Sequence, residues 1–363
     1  DDTSLDITST ITISSWVYLN QVNESCYIIG REDGAVRNYI LFAHSDGKFY
    51  FQVNISSSTK SVGSTTTYVA NRWYHVSGTY DGSQQKLYVD GVLEDDDAET
   101  GSIDNGNASL WIGAAADGDK YFNGKIANVG LWSRALSAEE VSSVMKKNYS
   151  QLGSVEKTRL VSWWALDNLE GNGVLDLATT EVLGSSFITG DNSDMDTTGS
   201  WASGSSDFAL SSVSGGNPGN CLKVLNVKGS PATNYGAYLE HSALTSGKLY
   251  KLTFDVKNDG VMTENLKFFS ATTEMKDEIP TTSSWVTQTI YFIADSTANY
   301  LTINVDSAIQ NGEYYMLDNV FLQEVTSGNH GVPSGATTTT SVYGGNAPVL
   351  PRAVDVAREG EAE

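Results

Sequence analysis

Cysteine is almost absent from this 363-residue chain, which contains only Cys26 and Cys221. The two residues lie far apart and, by the organisation derived below, in different domains, so no structural disulfide is expected between them. A disulfide-stapled secreted fold is therefore disfavoured, and the composition is compatible with folding in a reducing cytoplasm. Two buried free thiols are the plainer interpretation.

Long apolar runs are also missing. No stretch of about 18 apolar residues occurs, so we expect no membrane-spanning helix. The first ten residues, DDTSLDITST, are polar and acidic. They lack the basic and apolar regions of a secretory signal, so no signal peptide is expected.

Basic residues are scarce, since 22 Lys and Arg stand against 44 Asp and Glu, which gives a formal net charge of −22. Such a charge repels phosphate backbones and anionic lipids, so nucleic-acid binding is disfavoured. Most of the carboxylates are interpreted as serving solubility. Some of them are candidates for holding Ca²⁺, a cation that takes oxygen ligands.

Catalytic and zinc-binding motifs are missing as well. The four histidines, at 44, 75, 241 and 330, are scattered without the spacing of a zinc site. Neither a G-x-S-x-G nucleophile elbow nor a phosphate-binding P-loop occurs. The acidic run from Glu94 to Asp97 follows an Asp-Gly turn and is interpreted as a solvated loop.

The chain is instead rich in β-type patterning. Between Ile7 and Leu110, short β-branched and aromatic runs alternate with turn residues, which is typical of a β-sandwich. Within 38–55, the tetrapeptide Ser-Asp-Gly-Lys at 45–48 separates two alternating segments and predicts a hairpin. A second all-β region spans 187–325, and the Gly/Ser/Thr/Pro-rich tail is predicted to be an extended linker.

One short helix interrupts this pattern. Ser137 and Glu140 form an S-x-x-E capping box, and an apolar stripe of Val141, Val144 and Met145 follows. The pattern predicts a single amphipathic helix over about 137–148, about three turns long, lying against a sheet.

Four segments of the first region occur in a characteristic order: W-Y-H-V-S-G-T-Y-D-G (73–82), L-Y-V-D-G (87–91), L-W-I-G (110–113) and F-N-G-K-I-A-N-V-G-L-W-S-R-A-L-S-A-E-E-V (122–141). Together they resemble the concanavalin A-like lectin/glucanase superfamily, and within it the laminin-G and pentraxin-like domains. The resemblance implies a jelly-roll β-sandwich over roughly residues 7–150. The glucanase relatives carry their catalytic carboxylates on an E-x-D-x-x-E strand. That spacing occurs here at Glu94, Asp96 and Glu99, in the acidic segment that is interpreted as a solvated loop, so no enzymatic activity is expected.

Two segments of the second region, L-T-S-G-K-L-Y-K-L-T-F-D-V (244–256) and Y-Y-M-L-D-N-V (314–320), resemble the galactose-binding-like jelly-roll carbohydrate-binding modules. In much of that family the Asp of the closing strand helps to hold a structural Ca²⁺, and Asp318 matches that position. The acidic loop with Asp117 and Asp119 is another candidate calcium site, although an ordinary turn explains it equally well. No other cofactor is expected.

Sugar recognition typically combines an exposed aromatic face with polar side chains that bond the hydroxyls. The candidates in the second region are Trp201, Tyr235, Tyr238 and Trp285, and those in the first region are Tyr121 and Asn123. For each of the aromatic residues, a place in the core or at its rim is the plainer interpretation.

We therefore expect an all-β protein of two tandem jelly-roll β-sandwiches with one short helix. The expected domains are a laminin-G-like sandwich over 1–180, a carbohydrate-binding-module-like jelly roll over 185–325, and a linker or docking tail over 326–363.

The expected function is non-enzymatic glycan binding combined with a structural role. The tail resembles connectors of tailed-phage structural proteins, which implies a surface-exposed virion component. Its partners would be glycans, other virion proteins or copies of itself, without nucleic-acid binding or membrane insertion. The alternatives are a secreted or cell-surface bacterial carbohydrate-binding protein and a purely architectural virion protein.

Overall fold

The computed structural model describes residues 3–32, 37–106, 108–116, 120–166, 176–178, 183–228, 236–294, 299–307 and 309–326. These residues fall into two compact units: those up to 178 belong to the first, and those from 183 onward belong to the second. Each unit contains two antiparallel sheets. The predicted all-β fold class is confirmed.

The first unit contains eleven described strands arranged in two sheets, with the orders β11-β10-β1-β6-β7-β8 and β5-β4-β3-β2-β9. The strands are β1 (Ile11–Leu19), β2 (Cys26–Glu32), β3 (Arg37–Ala43), β4 (Lys48–Ile55), β5 (Ser58–Thr67), β6 (Trp73–Tyr80), β7 (Gln84–Val89), β8 (Val92–Ala98), β9 (Leu110–Ile112), β10 (Gly124–Trp132) and β11 (Leu160–Trp164).

The second unit contains two sheets with the orders β14-β15-β22-β17-β20 and β13-β16-β21-β18-β19, and β12 pairs with β22. The strands are β12 (Leu183–Ser186), β13 (Trp201–Ser203), β14 (Phe208–Gly216), β15 (Gly219–Asn226), β16 (Gly236–Glu240), β17 (Leu249–Asn258), β18 (Leu266–Ser270), β19 (Thr273–Ile279), β20 (Val286–Ile293), β21 (Tyr300–Val305) and β22 (Tyr314–Val325).

Alternation along β4 shows how the sequence directs one face of a strand inward. Phe49, Phe51 and Val53 are buried, whereas the residues between them are half-buried. This period of two is the one that the sequence pattern predicts. On the facing sheet Gly78 leaves room for Phe51, because a Cβ at that position would lie 2.2 Å from Cγ of the ring.

The capping box is confirmed at the start of α1 (Ala138–Val144). Ser137 Oγ accepts a hydrogen bond from the Glu140 N–H, and the Glu140 carboxylate accepts one from the Ser137 N–H. The helix is shorter than predicted, because the next N–H groups, of Lys146 and Lys147, bond three residues back, to the Ser143 and Val144 carbonyls. Short helical segments follow at Tyr149–Gln151, α2 (Ser154–Lys157) and α3 (Asp191–Asp194).

The interpretation of the acidic run as a solvated loop is wrong. Glu94 and its neighbours lie in the edge strand β8, where Glu94 accepts hydrogen bonds from the Thr65 hydroxyl and the Thr66 N–H. Asp95 accepts a further bond from the Gly63 N–H at 2.9 Å. The carboxylates of β8 therefore hydrogen-bond to β5, the edge strand of the other sheet. A local charge pattern does not reveal this contact.

Both cysteines, Cys26 and Cys221, are buried and free. Burial is the leading cause that raises the pKa of each thiol, to about 11 for Cys26. None of the described helices has the length and apolar character needed to cross a bilayer.

Candidate functional site

Three aromatic side chains stand at directly opposed positions on three adjacent strands of the first unit. Tyr27 on β2 is paired with Phe42 on β3, which is paired with Tyr50 on β4. The ring centroids of Tyr27 and Phe42 lie 6.0 Å apart, and those of Phe42 and Tyr50 lie 5.5 Å apart. We call these three residues the aromatic row.

The aromatic row projects from the outer face of its sheet, away from the core. Leu41 and Phe51, next to the row in sequence, are fully buried on the inner face, whereas Tyr27 and Tyr50 are only half-buried. Phe42, at the centre of the row, is 8% exposed because the flanking rings cover it.

Two glycines leave room for the tyrosine rings to pack flat against the sheet. A Cβ built on Gly63, the cross-strand partner of Tyr50, would lie 2.5 Å from Cε1 of that ring. A Cβ on Gly30 would lie 3.1 Å from Cδ2 of Tyr27. The absence of side chains at these positions therefore sets the orientation of both rings.

Polar groups lie at the Tyr50 end of the aromatic row. The Tyr50 hydroxyl donates a hydrogen bond to Asp46 Oδ2 at 2.8 Å, and His44 Nδ1 lies 3.1 Å from Asp46 Oδ1. Slight burial raises the pKa of Asp46, but the hydrogen bonds from Tyr50 and His44 outweigh it and lower that pKa. The carboxylate is thus held in its charged form beside an aromatic surface, where it can accept hydrogen bonds from a ligand.

The predicted loop of the first unit attaches to the strand that carries the other end of the row. The Tyr27 N–H donates to the Lys120 carbonyl at 3.0 Å, and Tyr121, next in sequence, is 63% exposed. Asn123 is exposed, and its Oδ1 accepts a hydrogen bond from Asn20 Nδ2 at 2.9 Å. Asp117 and Asp119 lie outside the described residues.

The predicted aromatic residues of the second unit do not form one cluster. Trp201 is buried in the apolar core, so its indole packs against core residues and offers no exposed face for stacking. Tyr238 is half-buried on β16, with its ring 5.4 Å from that of Tyr300 and its hydroxyl donating to Glu240 at 2.7 Å. Trp285 is half-buried beneath the ammonium of Lys257, and Tyr235 lies outside the described residues.

Asp318 is buried opposite Asp255, on neighbouring strands of one sheet. Burial and the negative charges of Asp255 and Asp194 raise the pKa of Asp318, although N–H donors from Asn217 and Asn319 work against that shift. Asp255 accepts hydrogen bonds from the side-chain amides of the same two asparagines.

Ca²⁺ takes six to eight oxygen ligands, whereas the space beside Asp255 and Asp318 is taken by N–H donors. Within the described ranges, no group of three or more His, Cys, Asp or Glu side chains could hold a metal ion. Calcium binding at Asp318 stays a prediction.

Sequence reasoning missed all three residues of the aromatic row. The available signal was the alternation within 38–55, which places Phe42 and Tyr50 on one face once the hairpin is assumed. Tyr27 joins them only through the pairing of β2 with β3, which the sequence does not specify.

Comparison with known proteins gave one family match and several structural likenesses. Residues 1–142 match the laminin-G family model described as the concanavalin A-like lectin/glucanases superfamily. A search of curated proteins found no significant match.

Each of the following likenesses to solved structures covers less than half of this chain. A candidate carbohydrate-binding protein from Bacteroides ovatus is 22% identical over 47% of this chain and 49% of its own, with a TM-score of 0.38. A heptameric SAP-like pentraxin from Limulus polyphemus is 18% identical over 41% and 75%, with a TM-score of 0.33. The N-terminal CBM22 and GH10 modules of a Clostridium thermocellum xylanase are 25% identical over 42% and 30%, with a TM-score of 0.29.

This chain thus spans about half the length of the Bacteroides protein. The residues that match the family model, 1–142, include the strands that carry the aromatic row.

Proposed function

We propose that the protein binds a glycan, without catalysis, through the aromatic row of the first unit. The observation that carries this proposal is the alignment of Tyr27, Phe42 and Tyr50 at consecutive cross-strand positions on one outward face. The apolar C–H face of a pyranose packs against aromatic surface, while carboxylate and amide groups bond its hydroxyls. The match of residues 1–142 to a family model from a superfamily of lectins and glucanases supports this proposal.

Polar side chains near both ends of the aromatic row would form the hydrogen bonds to the sugar hydroxyls. Asp46 lies at the Tyr50 end, and Gln52 follows Tyr50 by two residues, so it lies on the same face of β4. Tyr121 and Asn123 lie in the loop that joins the Tyr27 end. A sugar chain lying across the strands would contact the rings and both polar ends.

We propose binding rather than hydrolysis because glycosidases need two carboxyl groups placed across the scissile bond, about 5 Å apart in retaining enzymes. The E-x-D-x-x-E spacing that supplies them in the glucanase relatives occurs here at Glu94, Asp96 and Glu99. Two of these carboxylates are engaged within the fold, since Glu94 accepts hydrogen bonds from Thr65 and Thr66 and Glu99 forms an ion pair with Lys60 at 3.0 Å. Asp46, which is engaged by Tyr50 and His44, serves as a hydrogen-bond acceptor in this proposal.

Glycan-array screening of the full chain, with Ca²⁺ and with EDTA, tests the proposal. Affinity electrophoresis in the best glycan then compares Tyr50→Ala with Tyr18→Ala, a half-buried tyrosine on the other sheet of the same unit. We expect Tyr50→Ala to weaken binding about tenfold and Tyr18→Ala to leave it unchanged. The proposal would be contradicted if the glycan slowed the migration of both variants equally, or if the full chain bound no glycan on the array.

We further propose a location on the surface of a tailed-phage virion, with structural Ca²⁺ in at least one unit. The support is the resemblance of the tail to phage connectors and of the closing L-D-N-V strand to calcium-holding modules. Mass spectrometry of purified particles tests the location. An export signal and a hydrolase domain in the full gene would favour the secreted alternative instead.

A further inference from the structure

Three lysines of the second unit lie over aromatic rings on the same sheet. The ammonium of Lys223 lies 3.8 Å from the centroid of Tyr314, that of Lys257 lies 4.5 Å from Trp285, and that of Lys251 lies 5.3 Å from Tyr291. A ring attracts a cation through its quadrupole without removing the charge. These ammonium groups are therefore held in place over the rings.

Strand register puts the three lysines on the outer face of the sheet β14-β15-β22-β17-β20. Lys223 and Lys257 are both paired with Met316, one from each side, so their Cα atoms lie about 10 Å apart, two strand spacings. Lys251 lies six residues before Lys257 on β17. The even-numbered residues between them are buried on the core side, so both lysines point to the outer face. We call this surface the lysine face.

The lysine face is unusual in a chain whose net charge is −22. Lys228, Lys248 and Lys267, elsewhere in the unit, form ion pairs with carboxylates. Within the described part of the chain, neither Lys223 nor Lys257 has a carboxylate oxygen within 4.0 Å. Lys257 Nζ instead donates to the Gly215 carbonyl at 3.1 Å.

An exposed ring lies between these positive charges. Phe321 is 40% exposed on β22 and is paired with Thr253, which lies on β17 between Lys251 and Lys257. Because Thr253 is on the outer face, its cross-strand partner is too. The lysine face thus combines spaced cations with an apolar ring open to a ligand.

We propose that the lysine face binds a polysaccharide bearing widely spaced carboxylates, such as a uronic-acid polymer. Sugar rings would pack on Phe321 while their carboxylates meet Lys223 and Lys257. Dense polyanions such as nucleic acids fit less well, because they are repelled by the overall negative charge and by Asp255 and Asp318. These two side chains share the outer face of the sheet and are buried against it. This site is separate from the aromatic row and takes a different class of ligand.

Isothermal titration calorimetry of the full chain with polygalacturonate tests the charges. Lys223→Gln combined with Lys257→Gln is compared with Lys276→Gln, which alters charge on a strand of the other sheet. At low ionic strength we expect the double variant to bind about tenfold more weakly, the control to bind like wild type, and added salt to weaken wild-type binding. No binding by wild type, an equal loss in the control, or tighter binding of duplex DNA than of polygalacturonate would overturn the proposal.

A second pair of variants tests the ring. Phe321→Ala is compared with Val286→Ala, another partly exposed apolar residue of the same sheet. Loss of stacking should weaken binding about threefold to tenfold without changing its salt dependence. Wild-type affinity in Phe321→Ala would show that no sugar ring packs there and would overturn this mode of binding.

Discussion

Ser14 Oγ lies 2.8 Å from Nε2 of His75, and both side chains are buried between β1 and β6. The His75 ring packs against Trp16 with centroids 5.4 Å apart, and its Nδ1 has no hydrogen-bond partner among the described residues. Burial lowers the pKa of His75 from 6.5 to about 3. The native protein therefore keeps this imidazole neutral at physiological pH.

This burial predicts acid destabilisation of the first unit. The unfolded chain takes up a proton at His75 near pH 6.5, whereas the folded unit resists protonation down to about pH 3. The unfolded state thus binds more protons within that window, so stability falls as pH falls, by at most about 1.4 kcal/mol per pH unit. Above pH 6.5 the imidazole is neutral in both the folded and the unfolded state, so His75 causes no loss of stability there.

Urea unfolding of the full chain at pH 7 and pH 5 measures this effect in wild type and in His75→Gln. Glutamine keeps a hydrogen-bonding partner for Ser14 but does not titrate, so the first transition should lose much of its pH dependence. The matched control is His44→Gln, whose histidine side chain is 44% exposed, and it should keep the wild-type dependence. An undiminished drop in His75→Gln would show that other groups cause the destabilisation.

Local features of the fold could be predicted from the sequence, whereas cross-strand features could not. The hairpin at 45–48 and the Ser137–Glu140 capping box depend on residues within four positions of each other, so their patterns are visible. The aromatic row depends on the pairing of β2, β3 and β4, and the lysine face depends on four strands. Such registers are set by packing over long sequence separations, which composition and periodicity do not encode.

The buried Arg31 shows the same limit. Its guanidinium donates to the Asp6 carboxylate, to Asn105 Oδ1 and to the Ala108 carbonyl, and the side chain has no exposed surface. Removing Asp6 would take away a carboxylate that lies 2.6 Å from this buried cation. Because the Asp6 side chain is 28% exposed, we expect Asp6→Ala to destabilise the first unit by about 2–3 kcal/mol, less than a fully buried pair.

A double-mutant cycle separates this charge effect from simple loss of contacts. When Arg31→Met is combined with Asp6→Ala, the buried cation is removed together with its acidic partner, so the double variant should be at least as stable as Asp6→Ala alone. Urea unfolding of the four proteins provides the measurement. Strictly additive losses would mean that the two side chains do not depend on each other.

The capping box predicts a smaller, local effect on α1. Ser137→Ala removes the acceptor for the Glu140 N–H and should reduce the free energy of unfolding by about 1 kcal/mol. Ser142→Ala, within the same helix, makes the same chemical change away from the cap and should be neutral. Thermal unfolding compares the two, and equal effects would mean that the cap adds nothing beyond helix propensity.

The glycines beneath the aromatic row offer a test that leaves every ring in place. A Cβ on Gly63 would lie 2.5 Å from Cε1 of Tyr50, so Gly63→Ala should tilt that ring without removing aromatic surface. We expect weaker binding of the glycan identified by array screening, by about threefold to tenfold, with the fold retained because the ring faces outward. The matched control is Ser61→Ala, two residues earlier on the same strand, where the side chain is exposed. Affinity electrophoresis compares the two, and wild-type affinity in Gly63→Ala would show that ligand binding does not depend on the orientation of Tyr50.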